Sequence, residues 1–216
     1  MKSMKFQILS LAILVLFPIT AFAQSTLSND DNYRVSLGIK GGLNLSNVYD
    51  VQGDELEADS KFGLVGGAFL TLPITNFLGF QPEILFSQKG YRGSGSVLGS
   101  EYSFARTTNY IDVPLLVSFR TGEFLSLLFG PQYSFLLSQN YTVKSDLGDV
   151  SQDEQFENEN LRKNTFCFTG GADVNLNDIV LSARVGWDVL SNKGDGTSTT
   201  PRYKNVWYQA TIGYRF

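Results

Sequence analysis

No histidine occurs in the 216 residues, and there is a single cysteine, Cys167. A Ser-His-Asp or Cys-His site needs an imidazole base, so hydrolysis or acyl transfer by that route is excluded. Carboxylate pairs such as Glu83 with Asp112 remain the only conceivable acid–base partners, and a structural ion-pair role accounts for them more simply. One thiol without imidazole leaves no transition-metal constellation, and no cofactor is expected. A lone cysteine cannot close an internal disulfide, and Cys167 reads as a small buried residue. Positive charge is also scarce: 17 basic against 21 acidic side chains give a net charge of −4. Nucleic acid is therefore not an expected partner.

Long apolar runs are missing as well, apart from residues 6–19 near the N-terminus. That stretch follows the short basic residues 1–5 and precedes Ala21-Phe22-Ala23, small residues at −3 and −1 of a cut before Gln24. The pattern is that of a cleaved signal peptide over residues 1–23, followed by a short periplasmic segment at 24–32. Its removal takes away Lys2 and Lys5 and no acid, leaving 15 basic and 21 acidic groups. Since no other segment can cross a bilayer as a helix of roughly 20 apolar residues, any membrane crossing by residues 33–216 is made by strands.

What the chain does have is a period of two. Val35, Leu37, Ile39, Leu43 and Leu45 fall on one face, with Arg34, Ser36, Lys40, Gly42 and Asn44 on the other. The same alternation marks residues 62–72, 80–91, 108–120, 124–137, 165–176, 179–190 and 205–216. Eight segments of about ten residues each suit a tilted transmembrane strand. The connections alternate too. Residues 73–76, 121–123 and 177–178 make short turns, whereas 46–60, 92–106, 138–163 and 191–203 are expected as long polar loops. Short periplasmic turns and long outer loops predict an all-β, eight-stranded, antiparallel up-and-down transmembrane barrel in the outer membrane. A soluble lipocalin-like binder shares the strand count but buries its apolar face inside. Period alone does not choose between them, but the aromatic residues near segment ends and the terminal Phe216 favour the membrane orientation.

The ending Ile212-Gly213-Tyr214-Arg215-Phe216 places apolar or aromatic side chains at every second position up to the terminus. It resembles the C-terminal signal read by the barrel assembly machinery, with Ile212, Tyr214 and Phe216 as its readable positions. Phe80-Gln81-Pro82-Glu83-Ile84-Leu85-Phe86-Ser87-Gln88-Lys89-Gly90 is similar to a strand of the PorT-like family of outer-membrane β-barrel domain proteins. Asn109-Tyr110-Ile111-Asp112-Val113-Pro114, Gly130-Pro131-Gln132 and Leu181-Ser182-Ala183-Arg184 extend the resemblance across the chain. It implies a small outer-membrane barrel from a functionally diverse family, one member of which is associated with protein secretion.

On the inward face the alternation puts Lys40, Lys89, Arg120, Arg184 and Arg215 against Glu83, Asp112, Asp173 and Asp188. An eight-stranded barrel is just wide enough for side chains to fill, and buried charges there must be paired. Lys40, Glu83 and Arg184 are expected to form an ion-pair network plugging the lumen, with Asp112, Gln132 and Gln209 nearby. The alternative use of the same charges is a narrow ion or small-solute channel. Acidic residues crowd two loops, Asp50, Asp54, Glu55, Glu57 and Asp59 in one and Asp146, Asp149, Asp153, Glu154, Glu157 and Glu159 in the other. They read as solvated surface without an EF-hand spacing. Gly93, Gly95 and Gly99 lie in a Ser-rich stretch with no strand-to-helix context, so they form no phosphate cradle. The expected partners are outer-membrane lipid or lipopolysaccharide, the assembly machinery, and surface or secretion-system proteins that meet the loops.

Overall fold

The computed structural model describes residues 34–50, 58–97, 100–145, 148–154, 164–190 and 203–216. These contain β1 (Ser36–Asp50), β2 (Asp59–Pro73), β3 (Leu78–Val97), β4 (Ser100–Arg120), β5 (Leu125–Ser145), β6 (Gly148–Glu154), β7 (Asn164–Leu176), β8 (Ile179–Asp188) and β9 (Tyr203–Arg215). Every pairing is antiparallel, and β1 pairs with β9 while β4 pairs with β5, so eight strands close into a ring. β6 stands outside that ring, paired only to the upper part of β5. The residues expected as a signal peptide, 1–23, and the segment 24–32 lie outside the described residues.

The short turns follow from local chemistry. Thr75 Oγ1 accepts from the backbone amides of Phe77 (3.4 Å) and Leu78 (3.0 Å), tying the β2–β3 connection. Asn177 occupies the left-handed region at φ 54°, which suits the two-residue hairpin between β7 and β8. These turns share one end of the barrel with the start of β1 and the end of β9. That is the periplasmic end of an outer-membrane barrel.

Burial runs opposite to that of a soluble barrel. Leu37, Ile39, Phe62, Ile84, Phe129, Tyr208 and Ile212 are exposed on the outside, whereas Lys40, Asn44, Glu83, Ser87, Asp112, Gln132, Asp173 and Arg184 are buried inside. An apolar exterior around a polar interior suits lipid and does not suit water. The lipocalin-like alternative fails on this point, because its interior would be apolar.

Three of the regions expected as long loops are partly strand. β1 runs to Asp50, β3 and β4 continue as a hairpin to Val97 and Ser100, and β5 extends to Ser145 and turns into β6. The pairing Arg92↔Ala105 to Val97↔Ser100 occupies much of the segment expected to be loop. Apolar residues are sparse in these extensions, so the hydrophobic alternation fades while the backbone ladder continues. A crossing needs only ~9–11 residues per strand. The 20 and 21 residues of β3 and β4 therefore carry the hairpin well beyond the bilayer. At the upper rim Val48 and Tyr91 form a small apolar cluster with Ala58 and Phe104.

Candidate functional site: the charged lumen

Lys40 enters the lumen from β1, Glu83 from β3, Asp173 from β7 and Arg184 from β8. Lys40 Nζ forms a salt bridge with Glu83 Oε2, and Arg184 Nη2 lies 3.9 Å from Glu83 Oε1. Arg184 Nη1 lies 2.6 Å from Asp173 Oδ1. That approach is ionic, because Nη1 directs its hydrogen bonds to the carbonyls of Ala172 (2.9 Å) and Ala183 (3.2 Å). Gln81 Nε2 donates to Glu83 Oε1 at 2.9 Å and lies 3.4 Å from Asp173 Oδ2. Four ions thus form one chain across the barrel, with their side chains 2 to 3% exposed. Each charge has an opposite neighbour, which offsets its removal from water.

Phe69 flanks this layer, with Lys40 Nζ 5.7 Å from its ring centroid. A Cβ on Gly38 would meet Phe69 Cζ at 2.3 Å, so the ring fits only because β1 carries glycine there.

A second layer lies nearer the extracellular end. Lys89 Nζ is 2.9 Å from Asp112 Oδ2, 3.7 Å from the ring centroid of Trp207 and 5.0 Å from that of Tyr110. Asp188 accepts from the backbone amide of Asn205 (3.0 Å) and from its side chain, and Cys167 Sγ donates to Asp188 Oδ1 at 3.1 Å. Ser134 bridges toward Cys167 at 3.5 Å and takes a 3.1 Å hydrogen bond from Gln132 Nε2. Asn44 Nδ2 donates to Ser87 Oγ at 3.0 Å. Leu85, Leu116 and Leu128 occupy buried inward positions among these polar groups.

Lys40, Glu83 and Arg184 are thus brought together, and Asp173 joins them as a second carboxylate on Arg184. Asp112 is not part of that chain, because its ion partner is Lys89. Gln209 is buried opposite Arg184 and Asn44 in register. The contacts that alternation did not reveal are the Lys89–Trp207 stack and two aromatic rings seated against glycines, Phe69 on Gly38 and Trp207 on Gly186. Their only sequence signal is a large ring at an inward position with a glycine at an inward position of a neighbouring strand.

Ile212, Tyr214 and Phe216 project outward along β9, 60%, 48% and 70% exposed, and the Phe216 amide donates to Leu37 O at 2.8 Å. Of the acidic loop residues, Asp54, Glu55, Glu57, Asp146, Glu157 and Glu159 lie outside the described residues. Among the described residues no group of three His, Cys, Asp or Glu side chains could hold a metal ion.

The attachment invasion locus protein of Yersinia pestis is 16% identical, with 85% of this chain and 99% of that chain covered and a TM-score of 0.47. Neisserial surface protein A is 12% identical, with 83% and 97% covered and a TM-score of 0.46. OprG of Pseudomonas aeruginosa is 12% identical, with 85% and 97% covered and a TM-score of 0.38. A search of the curated proteins finds no match. The sequence model for the outer membrane protein beta-barrel domain matches residues 22–189, more than half of the chain. With that match and a closed ring of eight antiparallel strands, the chain belongs to the outer membrane protein beta-barrel domain family and is a protein of the outer membrane.

Proposed function

We propose that this protein is a closed, non-conducting barrel that anchors in the outer membrane and presents its extracellular strands and loops to other molecules. The observation that carries this reading is the pair of ionic layers, Lys40–Glu83–Arg184–Asp173 and Lys89–Asp112 under Trp207, which fill a bore only wide enough for side chains. Lys40, Glu83, Asp112 and Arg184 act as a structural plug, not as an ion path. The extension of β3, β4, β5 and β6 supports the presenting role, since strands longer than the bilayer require a use outside it.

The absence of histidine supports a non-enzymatic role. Ile212, Tyr214 and Phe216 serve as the edge read by the assembly machinery. The motif from Phe80 to Gly90 supports a PorT-like assignment within the family, and with it a role in supporting secretion. Planar-bilayer recording of the purified barrel tests the plug. The expected trace shows no large, stable conductance, and sustained open steps would overturn the closed-lumen reading in favour of a narrow channel. Surface cross-linking followed by pull-down tests the presenting role, and a barrel that captures neither lipid nor protein would contradict it.

A further inference from the structure

The outer wall formed by β2, β3, β4 and β5 changes character between two adjacent rows of residues. Phe86, Ile111 and Phe135 stand side by side in register and are apolar. The next outward-facing row is Gln88, Asn109 and Ser138, joined by hydrogen bonds from Gln88 Nε2 to Asn109 Oδ1 (3.1 Å) and from Asn109 Nδ2 to Ser138 Oγ (2.9 Å). Amides that satisfy one another sideways on an outer wall mark the level where hydrocarbon ends. One row higher, Lys61 Nζ reaches over Gly90 to donate to Thr107 Oγ1 at 2.6 Å. One row above that stands Arg92, exposed and in register with Asp59 without forming a salt bridge to it. Asp59 lies two residues before Lys61 on β2, so Lys61 and Arg92 stand on neighbouring rows of one wall and their like charges oppose each other. A shallow cavity of about 280 Å³ beside Arg92 is lined by the polar side chains of Asp59, Ser94, Ser103 and Thr142 and by the apolar ones of Phe104 and Ala105.

With ~3.3 Å of rise per residue and a strand tilt of ~40°, each row climbs about 5 Å along the membrane normal. Lys61 and Arg92 therefore sit roughly 5 and 10 Å above the hydrocarbon edge, the depth of headgroup phosphates and the sugars above them. Two like charges held together on one wall are mutually repulsive until an anion lies between them. The wall formed by β7, β8 and β9 differs, since its outward residues Phe166, Phe168, Trp187, Val206 and Tyr208 carry no charge, and among the described residues Lys204 is the one cation at its rim.

We propose that Lys61 and Arg92 form a site for the phosphate of a phosphorylated glycolipid of the outer leaflet, the lipopolysaccharide class, with its sugars against Ser94, Ser103 and Thr142. The polar rows continue above the phosphate level, where a glycolipid still has sugar and a glycerophospholipid has ended. The site depends on the outer-membrane location and not on the closed lumen, so a conductance result leaves it unaffected.

The test titrates the refolded full chain in detergent with purified lipopolysaccharide, with the same glycolipid after dephosphorylation, and with phosphatidylglycerol vesicles as competitor. Two charge-assisted contacts near the surface, each worth a factor of about three, predict about tenfold weaker binding of lipopolysaccharide by Lys61→Gln/Arg92→Gln. Dephosphorylated glycolipid should bind the wild type about as weakly, and Lys204→Gln on the other wall should bind normally. Folding of each variant is checked by its heat-dependent shift in gel mobility, and Arg92→Gln alone, at an exposed side chain, carries the test if the double variant misfolds. Unchanged affinity in a folded variant, no preference for the phosphorylated form, or equal competition by phosphatidylglycerol would overturn the proposal.

Discussion

Lys89→Met isolates the upper ionic layer, because it removes the ammonium while keeping a flexible apolar chain of similar reach. Lys89 and Asp112 are 2.9 Å apart, with side chains 2% and 1% exposed. At that separation an effective dielectric of 20 gives about 6 kcal/mol of attraction, most of it offset by the desolvation of both ions. Removing the cation alone keeps the desolvation cost of the carboxylate, so the expected loss is about 3–5 kcal/mol. Asp112 is poorly placed to absorb the change, since its Oδ1 already lacks a hydrogen-bond partner. Asp112→Asn should destabilise less, by about 1–3 kcal/mol, because Lys89 keeps the faces of Trp207 and Tyr110. Lys89→Met/Asp112→Asn removes both charges and should recover most of the loss. Urea titration of the barrel refolded into lipid vesicles, followed by tryptophan fluorescence, measures all three. A Lys89→Met cost below about 1 kcal/mol, or a double variant equal to the sum of the singles, would refute the paired-layer reasoning.

Gly186→Ala should destabilise the barrel by about 1–3 kcal/mol, because the new Cβ would lie 2.2 Å from Trp207 Cζ2. In a Trp207→Leu background the same change should cost little, and urea unfolding of the four proteins checks this non-additivity. Cys167 is fully buried, so a maleimide should leave the vesicle-embedded barrel unmodified and label it rapidly in urea. Labelling of the native barrel within minutes would show that the lumen is open to small reagents.

The ring of eight strands was readable because one face of every crossing meets lipid and the other meets side chains. Leu37, Ile84, Phe129 and Ile212 keep the period of two legible. Above Gln88, Asn109 and Ser138 the outward face turns polar and apolar side chains such as Tyr91 and Phe104 are few and inward, so strand formation there rests mainly on backbone ladders and the period of two is lost. That is why the tops of β3, β4 and β5, and all of β6, read as loops. Inward parity likewise grouped Lys40, Glu83 and Arg184 and set Asp112 beside them, but it did not pair Asp112 with Lys89 or Arg184 with Asp173. Partners depend on the stagger between strands, which brings Lys89 to Asp112 although the two are not paired in register. Phe69 and Trp207 were legible only as rings at inward positions, since the space they occupy is left by Gly38 and Gly186 on other strands.

The arrangement of apolar wall outside and packed polar lumen inside can be tested with the two native tryptophans. Trp187 is 42% exposed on the outer wall and Trp207 is 1% exposed in the lumen. In vesicles whose acyl chains carry bromine, the Trp207→Phe protein, which retains Trp187, should be strongly quenched. The Trp187→Phe protein, which retains Trp207, should keep its fluorescence. Equal quenching of both, or quenching of Trp207 alone, would contradict a barrel that faces lipid with its apolar side and encloses its charges.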